Sequence, residues 1–218
     1  ATRLDESKRM LGTINNNVNE GRAKICAHLG VGERKAALEG ANYVINAIQV
    51  GGYEPSTVID FEIPKKYGLR QTIAETLGIG GIFRGLRTIP VVLDFARDIE
   101  EACPDAWFLN YSNPMAMLTG ALLTDSSVRG VGLCHSVQGC ARSLLKNLDF
   151  SVPEERLRWH VAGINHMAWL LEVSDGAEDL YPEIKVRAAE KVTAARKPGA
   201  EKYNDMVRMD GIRHFGYY

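Results

Sequence analysis

The chain alternates between short apolar runs and longer stretches in which apolar residues recur every three or four positions. The runs are Tyr43 to Val50 (YVINAIQV), Trp107 to Tyr111 (WFLNY), Val128 to Leu133, Leu157 to Ala162 and Trp169 to Val173. Their β-branched and aromatic content, bordered by glycine, proline or polar residues, predicts strands. Helical periodicity is read over Thr2 to Gly21, Glu33 to Glu39, Gly81 to Ala102, Met115 to Leu123, Val137 to Leu148, Pro182 to Arg196 and Tyr203 to Phe215. In the helix over 81–102 the apolar stripe is Leu86, Ile89, Leu93, Ala96 and Ile99, and Pro90 predicts a kink or a fresh start. Lys24 to Ala27 is a further short strand candidate. Residues 53–68, with Pro55 and Pro64, read as a long connection. Leu69-Arg70-Gln71-Thr72 and the glycine-rich Gly78-Ile79-Gly80-Gly81 follow. Plain turn chemistry and a substrate-contacting loop both account for these glycines.

Strands alternating with helices at this spacing predict an α/β fold with a parallel sheet. Right-handed crossovers put the strand ends, including those that lead to Asn113 and Cys134, on one edge. Open α/β sheets bind their ligands at that edge. Two polar clusters follow strand ends: Gly132-Leu133-Cys134-His135-Ser136 and Gly163-Ile164-Asn165-His166-Met167. A Cys thiolate is both a good metal ligand and a good nucleophile, and a neutral His is a good ligand. One reading brings Cys134 and His166 together to hold a metal, with substrate oxygens and water filling the other positions. The rival reading pairs Cys134 with His135 as nucleophile and base. Neighbours on a strand point to opposite faces, so that dyad requires the strand to have ended. Asn113 precedes Pro114 and is biased away from helical geometry. Its amide serves either the crevice or an ordinary turn.

Composition narrows the partners. The 218 residues suit one large domain or a domain with an appendage, and 45% hydrophobic with 24% charged residues is ordinary globular composition. A net charge of −1 gives no electrostatic case for nucleic acid or an anionic membrane surface. No apolar run approaches the roughly 20 residues that span a bilayer. Four cysteines, Cys26, Cys103, Cys134 and Cys140, form no dense disulfide framework, so a reducing, cytoplasmic setting is expected.

The segments AIQVGGYEPSTVIDFEIPKKYGLRQT, TLGIGGIFRGLRTIP, LNYSNPMAM, VGLCHSVQG and AGINHMAWLLEV together resemble glycoside hydrolase family 4, in its α-galactosidase (melibiase-like) branch. The resemblance covers most of the chain. It implies an incomplete Rossmann-like parallel sheet of the lactate/malate dehydrogenase kind, with flanking helices and the start of a C-terminal α/β catalytic region. Residues 1–135 would be a partial NAD-binding domain and residues 136–218 a partial catalytic domain.

The implied activity is cleavage of α-galactosides with NAD and Mn2+. Oxidation at sugar C3 acidifies the C2 proton, a base removes it, and the C1 leaving group is eliminated. This NAD-dependent route is an exception to two-carboxylate glycoside hydrolysis. The resemblance assigns Cys134 and His166 to the metal and Asn113 to the substrate. It places Asn46 and Gln49 near the nicotinamide. His135 stands where many relatives carry an Asp assigned as proton donor. Relatives tend to form dimers or tetramers, so a homo-oligomer is expected.

The opening ATRLDES corresponds to the helix after the family's second strand, so the GxGS turn that holds the NAD pyrophosphate at a helix amino end is missing. In relatives the C2 base lies beyond a segment like FGYY, and neither Tyr217 nor Tyr218 is assigned to it. A catalytically inactive truncated α/β module of the same family is the alternative. A simple hydroxy-acid dehydrogenase would leave the CHS and GINH motifs without a role. The chain by itself is expected to bind NAD+ weakly or not at all. Calorimetric titration with NAD+ checks this, and micromolar binding would contradict it.

Overall fold

The computed structural model of the chain describes residues 2–71, 76–201 and 203–218. Thr72, the last residue of the LRQT reading, lies outside the described residues. The chain forms two compact units, Ala1–Leu133 and Cys134–Tyr218. Among the described residues, no helix is long and apolar enough to cross a membrane.

The first unit opens with α1 (Thr2–Asn19) and the short α2 (Arg34–Leu38). Met10, Leu11, Ile14 and Val18 of α1 are exposed. Residues 24–27 are irregular, because the strand expected there has no partner beside it. β1 (Tyr43–Asn46), β2 (Trp107–Asn110) and β3 (Arg129–Gly132) form a parallel sheet in that order. Asn46 lies opposite Asn110, and Asn110 opposite Gly132, so the three carboxyl ends line up along one edge.

Between β1 and β2 runs α3 (Val58–Lys66), entered through a kinked segment over Gly52–Thr57 in which Glu54 is extended, and then α4 (Ile79–Ala102). The long connection expected over 53–68 is therefore mostly helical. Pro64 lacks the N–H that would bond the Asp60 carbonyl one turn back. That carbonyl instead accepts from Gln71 Nε2 at 3.4 Å. Gln71 Oε1 in turn accepts from the Gly80 N–H at 3.3 Å. The Gly78-Gly81 segment is a helix start, with Gly80 and Gly81 buried inside α4. α4 passes through Pro90 as a single helix, with no fresh start. Its buried stripe is Gly85, Thr88, Val92, Ala96 and Ile99, while Leu86 is 62% exposed.

One face of the sheet carries the core. Phe108 packs with Val92, Ala96 and Ile99 of α4 and with Leu118 and Leu122 of α5 (Met115–Asp125). A side chain at Gly132 would collide with Met115 Sδ and Thr119 Oγ1 of α5, so β3 needs glycine where the helix lies close. The opposite face is open. Tyr43, Ile45, Trp107 and Val131 alternate outward and are exposed. The burial expected of all of Tyr43–Val50 holds on one face only, since parallel sheets are ordinarily covered on both.

The second unit begins with α6 (Ser136–Asn147). β4 (Leu157–Ile164) and β5 (Met167–Asp175) then pair antiparallel, and the short β6 (Glu178–Asp179) closes onto the end of β5. These strands form their own sheet and do not extend the parallel one as the alternation suggested. α7 (Tyr181–Ala195) and α8 (Met206–Phe215) complete the unit. Leu144, Leu145, Leu170, Val173, Ile184, Ala188, Met209 and Ile212 fill its core.

A buried ion pair ties the segment after β1 to α4. Arg87 Nη1 and Nη2 donate to the two carboxylate oxygens of Asp60 at 3.2 and 2.6 Å, and Arg87 Nε donates to the Val50 carbonyl at 3.2 Å. The Asp60 side chain is 3% exposed. Removing one partner strands the other charge in a dry site. Arg87→Leu is expected to cost about 3 kcal/mol of stability, read as a shift of the urea midpoint. A loss well under about 1 kcal/mol, the range of exposed pairs, would contradict this.

Candidate functional site

The β4–β5 hairpin turns on two residues, Asn165 and His166, between the paired Ile164 and Met167. His166 takes φ 63, a left-handed conformation. Turns of this kind need a positive φ at the second central residue and normally place Gly or Asn there. His tolerates it at a cost of about 1–2 kcal/mol. Gly163, at φ 141, sets up the approach. A Cβ there would lie 2.5 Å from Ala168 Cα and Met167 O of the facing strand. The glycine therefore lets β4 and β5 close to the very tip, and the tip fixes where the imidazole goes.

Cys134 Sγ lies 3.7 Å from His166 Nε2 and 2.9 Å from Ser136 Oγ. The imidazole at the thiol is thus that of His166, across 32 positions of chain. His135 is exposed, and it caps α6 while its carbonyl accepts from Gly139 at 3.1 Å. Burial pushes the Cys134 thiol up, but four donors outweigh it: the Ser136 hydroxyl, the Ser136 N–H, the Asn165 side chain and the His135 N–H. The net effect lowers the thiol below the usual cysteine value. The amino end of α6 adds its positive pole to the same effect.

The pair fits a divalent cation. A thiolate sulfur and an imidazole nitrogen 3.7 Å apart can both bind one ion, which would bring Lewis-acid chemistry to the site. Asn165 Oδ1 is buried and has no hydrogen-bond partner. Among the described residues, no group of three or more His, Cys, Asp or Glu gathers in one place. The charged and imidazole donors therefore number two, and other oxygens must complete the shell.

The remaining sequence-chosen residues sit in the first unit. Asn46 is buried at the end of β1 and donates from Nδ2 to Asn110 Oδ1 at 2.9 Å. Asn110 Nδ2 reaches Thr119 Oγ1 at 3.1 Å, and the Ser112 hydroxyl donates to the Ile48 carbonyl at 2.8 Å. This network clamps the strand ends together. Gln49 is exposed, yet its Nε2 donates to the buried Thr57 Oγ1 at 2.9 Å. The turn at Gly51 closes on Ser56 of its own chain. Asn113 Oδ1 accepts from the Met115 N–H at 3.3 Å, so it starts α5 as well as following β2.

Sequence reasoning passed over Ser136 and Asn165, although both stand in the quoted CHS and GINH strings. Only the fold shows that their side chains converge on one sulfur. Tyr218 is buried, with its hydroxyl donating to Asp205 at 2.5 Å. Burial, and then that bond to a carboxylate, push its ionisation far up, so it stays protonated. Tyr181, buried and bonded to the Leu170 carbonyl, is pushed up to about 12.

The chain therefore has one unit built on a three-stranded parallel sheet and one bearing a thiol–imidazole donor pair. Residues 1–150 match the sequence profile of the family 4 glycosyl hydrolases, and residues 161–218 match that of their C-terminal domain. The chain belongs to glycosyl hydrolase family 4.

An α-galactosidase of Bacillus subtilis (strain 168) is 57% identical over 216 residues, 99% of this chain and 47% of that protein. The crystal structure of a candidate glucosidase from Bacillus subtilis superposes with a TM-score of 0.82 at 29% identity, covering 97% of this chain and 51% of the other. A 6-phospho-α-glucosidase from gut microorganisms, solved with NAD and Mn2+, gives a TM-score of 0.63 at 31% identity, covering 72% and 36%. The chain spans about half the length, or less, of these proteins.

Thiol reactivity checks the geometry. Burial pushes the Cys103 and Cys140 thiols up, so at neutral pH they hold less thiolate than Cys134. Iodoacetamide at pH 7.5, followed by mass spectrometry, is expected to label Cys134 faster than either. Ser136→Ala should shift the pH profile of Cys134 labelling upward, since it removes a donor that favours the thiolate. An unchanged profile would contradict the assignment.

Proposed function

We propose that this chain is a portion of an NAD- and Mn2+-dependent glycosidase that cleaves α-galactosides. The observation that carries the reading is the 3.7 Å approach of Cys134 Sγ to His166 Nε2 on a hairpin tip built for it. The similarity to an α-galactosidase at 57% identity supports the sugar, and the relative solved with NAD and Mn2+ supports the cofactors.

When bound, the nicotinamide supplies reversible hydride exchange at a sugar carbon, and the divalent cation supplies Lewis-acid stabilisation of neighbouring oxygens. Cys134 and His166 hold the cation. The donors on Cys134 keep its sulfur a thiolate, which is the form that ligates. Asn113, at the end of β2, is the substrate contact. Gln49 and the Asn46–Asn110 clamp shape the nicotinamide side of the strand-end edge. His135, exposed at the start of α6, is the residue to which this reading gives the proton donated to the departing group. A thiolate in this role requires a reducing compartment.

A chimera tests the reading. This chain replaces the matching segment of the Bacillus subtilis α-galactosidase, which supplies the rest of the polypeptide. The chimera is expected to hydrolyse p-nitrophenyl α-galactoside only with NAD+, Mn2+ and a thiol present. Cys134→Ala and His166→Ala should each lower kcat by about 1,000-fold, the scale of several kcal/mol lost from the transition state. A folded chimera without α-galactosidase activity would favour the inactive-module alternative. Activity that survives Cys134→Ala would remove the cation assignment.

A further inference from the structure

The oxygen atom that the donor pair lacks is already present at the hairpin tip. Mn2+ favours oxygen ligands over sulfur, so a Cys/His pair alone is a poor match for it. Asn165 precedes His166 in the two-residue turn, and its side chain favours the Cys134 thiolate. The amide has a second end besides the nitrogen that favours the thiolate. That other end, Oδ1, is buried with no hydrogen-bond partner. A buried carbonyl oxygen without a partner costs about 1–3 kcal/mol unless something compensates it. The same turn already bears the left-handed backbone of His166, and Gly163 is fixed by the facing strand. Unfavourable local features of this kind persist where the surrounding structure imposes them, and they cluster at ligand sites.

We infer that Asn165 Oδ1 is a third protein donor of the divalent-cation site, completing a sulfur, nitrogen and oxygen set with Cys134 and His166. The inference rests on the reading of Cys134 and His166 as cation ligands. It explains how a site with two conventional ligands holds a cation that prefers oxygen. It also gives a role to the buried, unpartnered oxygen of the residue before the ligating His. A cation there compensates the buried oxygen and draws on the three side chains together.

Mn2+ binding by the chain itself, without NAD+ or sugar, tests this. Free Mn2+ is followed by electron paramagnetic resonance, under reducing conditions. Wild type is expected to bind one Mn2+, and Cys134→Ala and His166→Ala to abolish it. Asn165→Ala should weaken binding by about tenfold or more, the scale of lost support at a metal site. Asn165→Asp decides the matter independently of Asn165→Ala. It keeps an oxygen at the same place but cannot donate to the thiolate, and its charge repels a bare one. Recovery by Asp to wild-type affinity or better supports ligation. In the Co2+-loaded protein, the thiolate-to-cobalt charge-transfer band should persist in Asn165→Asp, showing that Cys134 still ligates. If Asn165→Asp binds Mn2+ at least tenfold more weakly than wild type, Asn165 acts only as a donor to the sulfur and the inference is overturned. If Cys134 and His166 prove dispensable, or wild type binds no Mn2+, the cation reading fails and the inference falls with it.

Discussion

Closure of the β4–β5 ladder up to a two-residue turn is the constraint on which the candidate site depends. The two strands stay paired through Gly163 and Ala168 because Gly163 has no Cβ to collide with the facing backbone. That leaves no slack at the tip, and His166 must take a left-handed conformation to complete the turn. Its imidazole meets a thiol that the start of α6 has already drawn toward the thiolate form. The packing of α7 and α8 against β5 secures the other side of the hairpin. Tyr181 and Tyr218 bond the backbone of Leu170 there, so the strand that carries the turn is held along its length.

The first unit solves a different problem. Its three parallel strands end together, and the buried side chains of Asn46, Asn110 and Ser112 use one another and nearby carbonyls as partners. Buried amides are stable only when satisfied, and a satisfied network fixes its geometry. The segment after β1 is anchored separately by Arg87, whose guanidinium spans the Asp60 carboxylate and the Val50 carbonyl. A guanidinium suits this place because its planar fork meets a carboxylate bidentately. Polar residues that look available for a ligand in the sequence are thus partly committed to holding the edge in shape. Asn46 is the clearest case, and Asn113 shares its oxygen with the first N–H of α5.

The open face of the parallel sheet stands apart from both. Tyr43, Ile45, Trp107 and Val131 form an apolar surface of the sort that parallel sheets ordinarily cover with helices. The strands were written for burial on both faces, and α4 and α5 cover one. Together with Met10, Leu11, Ile14 and Val18 of α1, these make the first unit rich in exposed apolar side chains.

By itself the sequence determined which segments fold as strands and helices around the parallel sheet. It also determined that Cys134 and His166 are chemically unusual, and, through five motifs, the family. Periodicity and apolar runs are local properties, and local properties are what a linear reading can see. It missed the helix over Val58–Lys66 because two prolines mark a break unless a side chain, here that of Gln71, serves the carbonyl that proline leaves free. It read the Gly78–Gly81 segment as a loop because glycines buried under a close helix contact look the same on paper as glycines in a turn. It joined all strands into one parallel sheet because alternation carries no information on direction of pairing. The choice between His135 and His166 as the partner of Cys134 was open to residue chemistry, and only the tertiary structure brought His166 to 3.7 Å. Asn165 and Ser136 became visible for the same reason. Convergence on a single sulfur is a three-dimensional fact, reached through a glycine that lets two strands meet and a turn that brings the imidazole to the thiol.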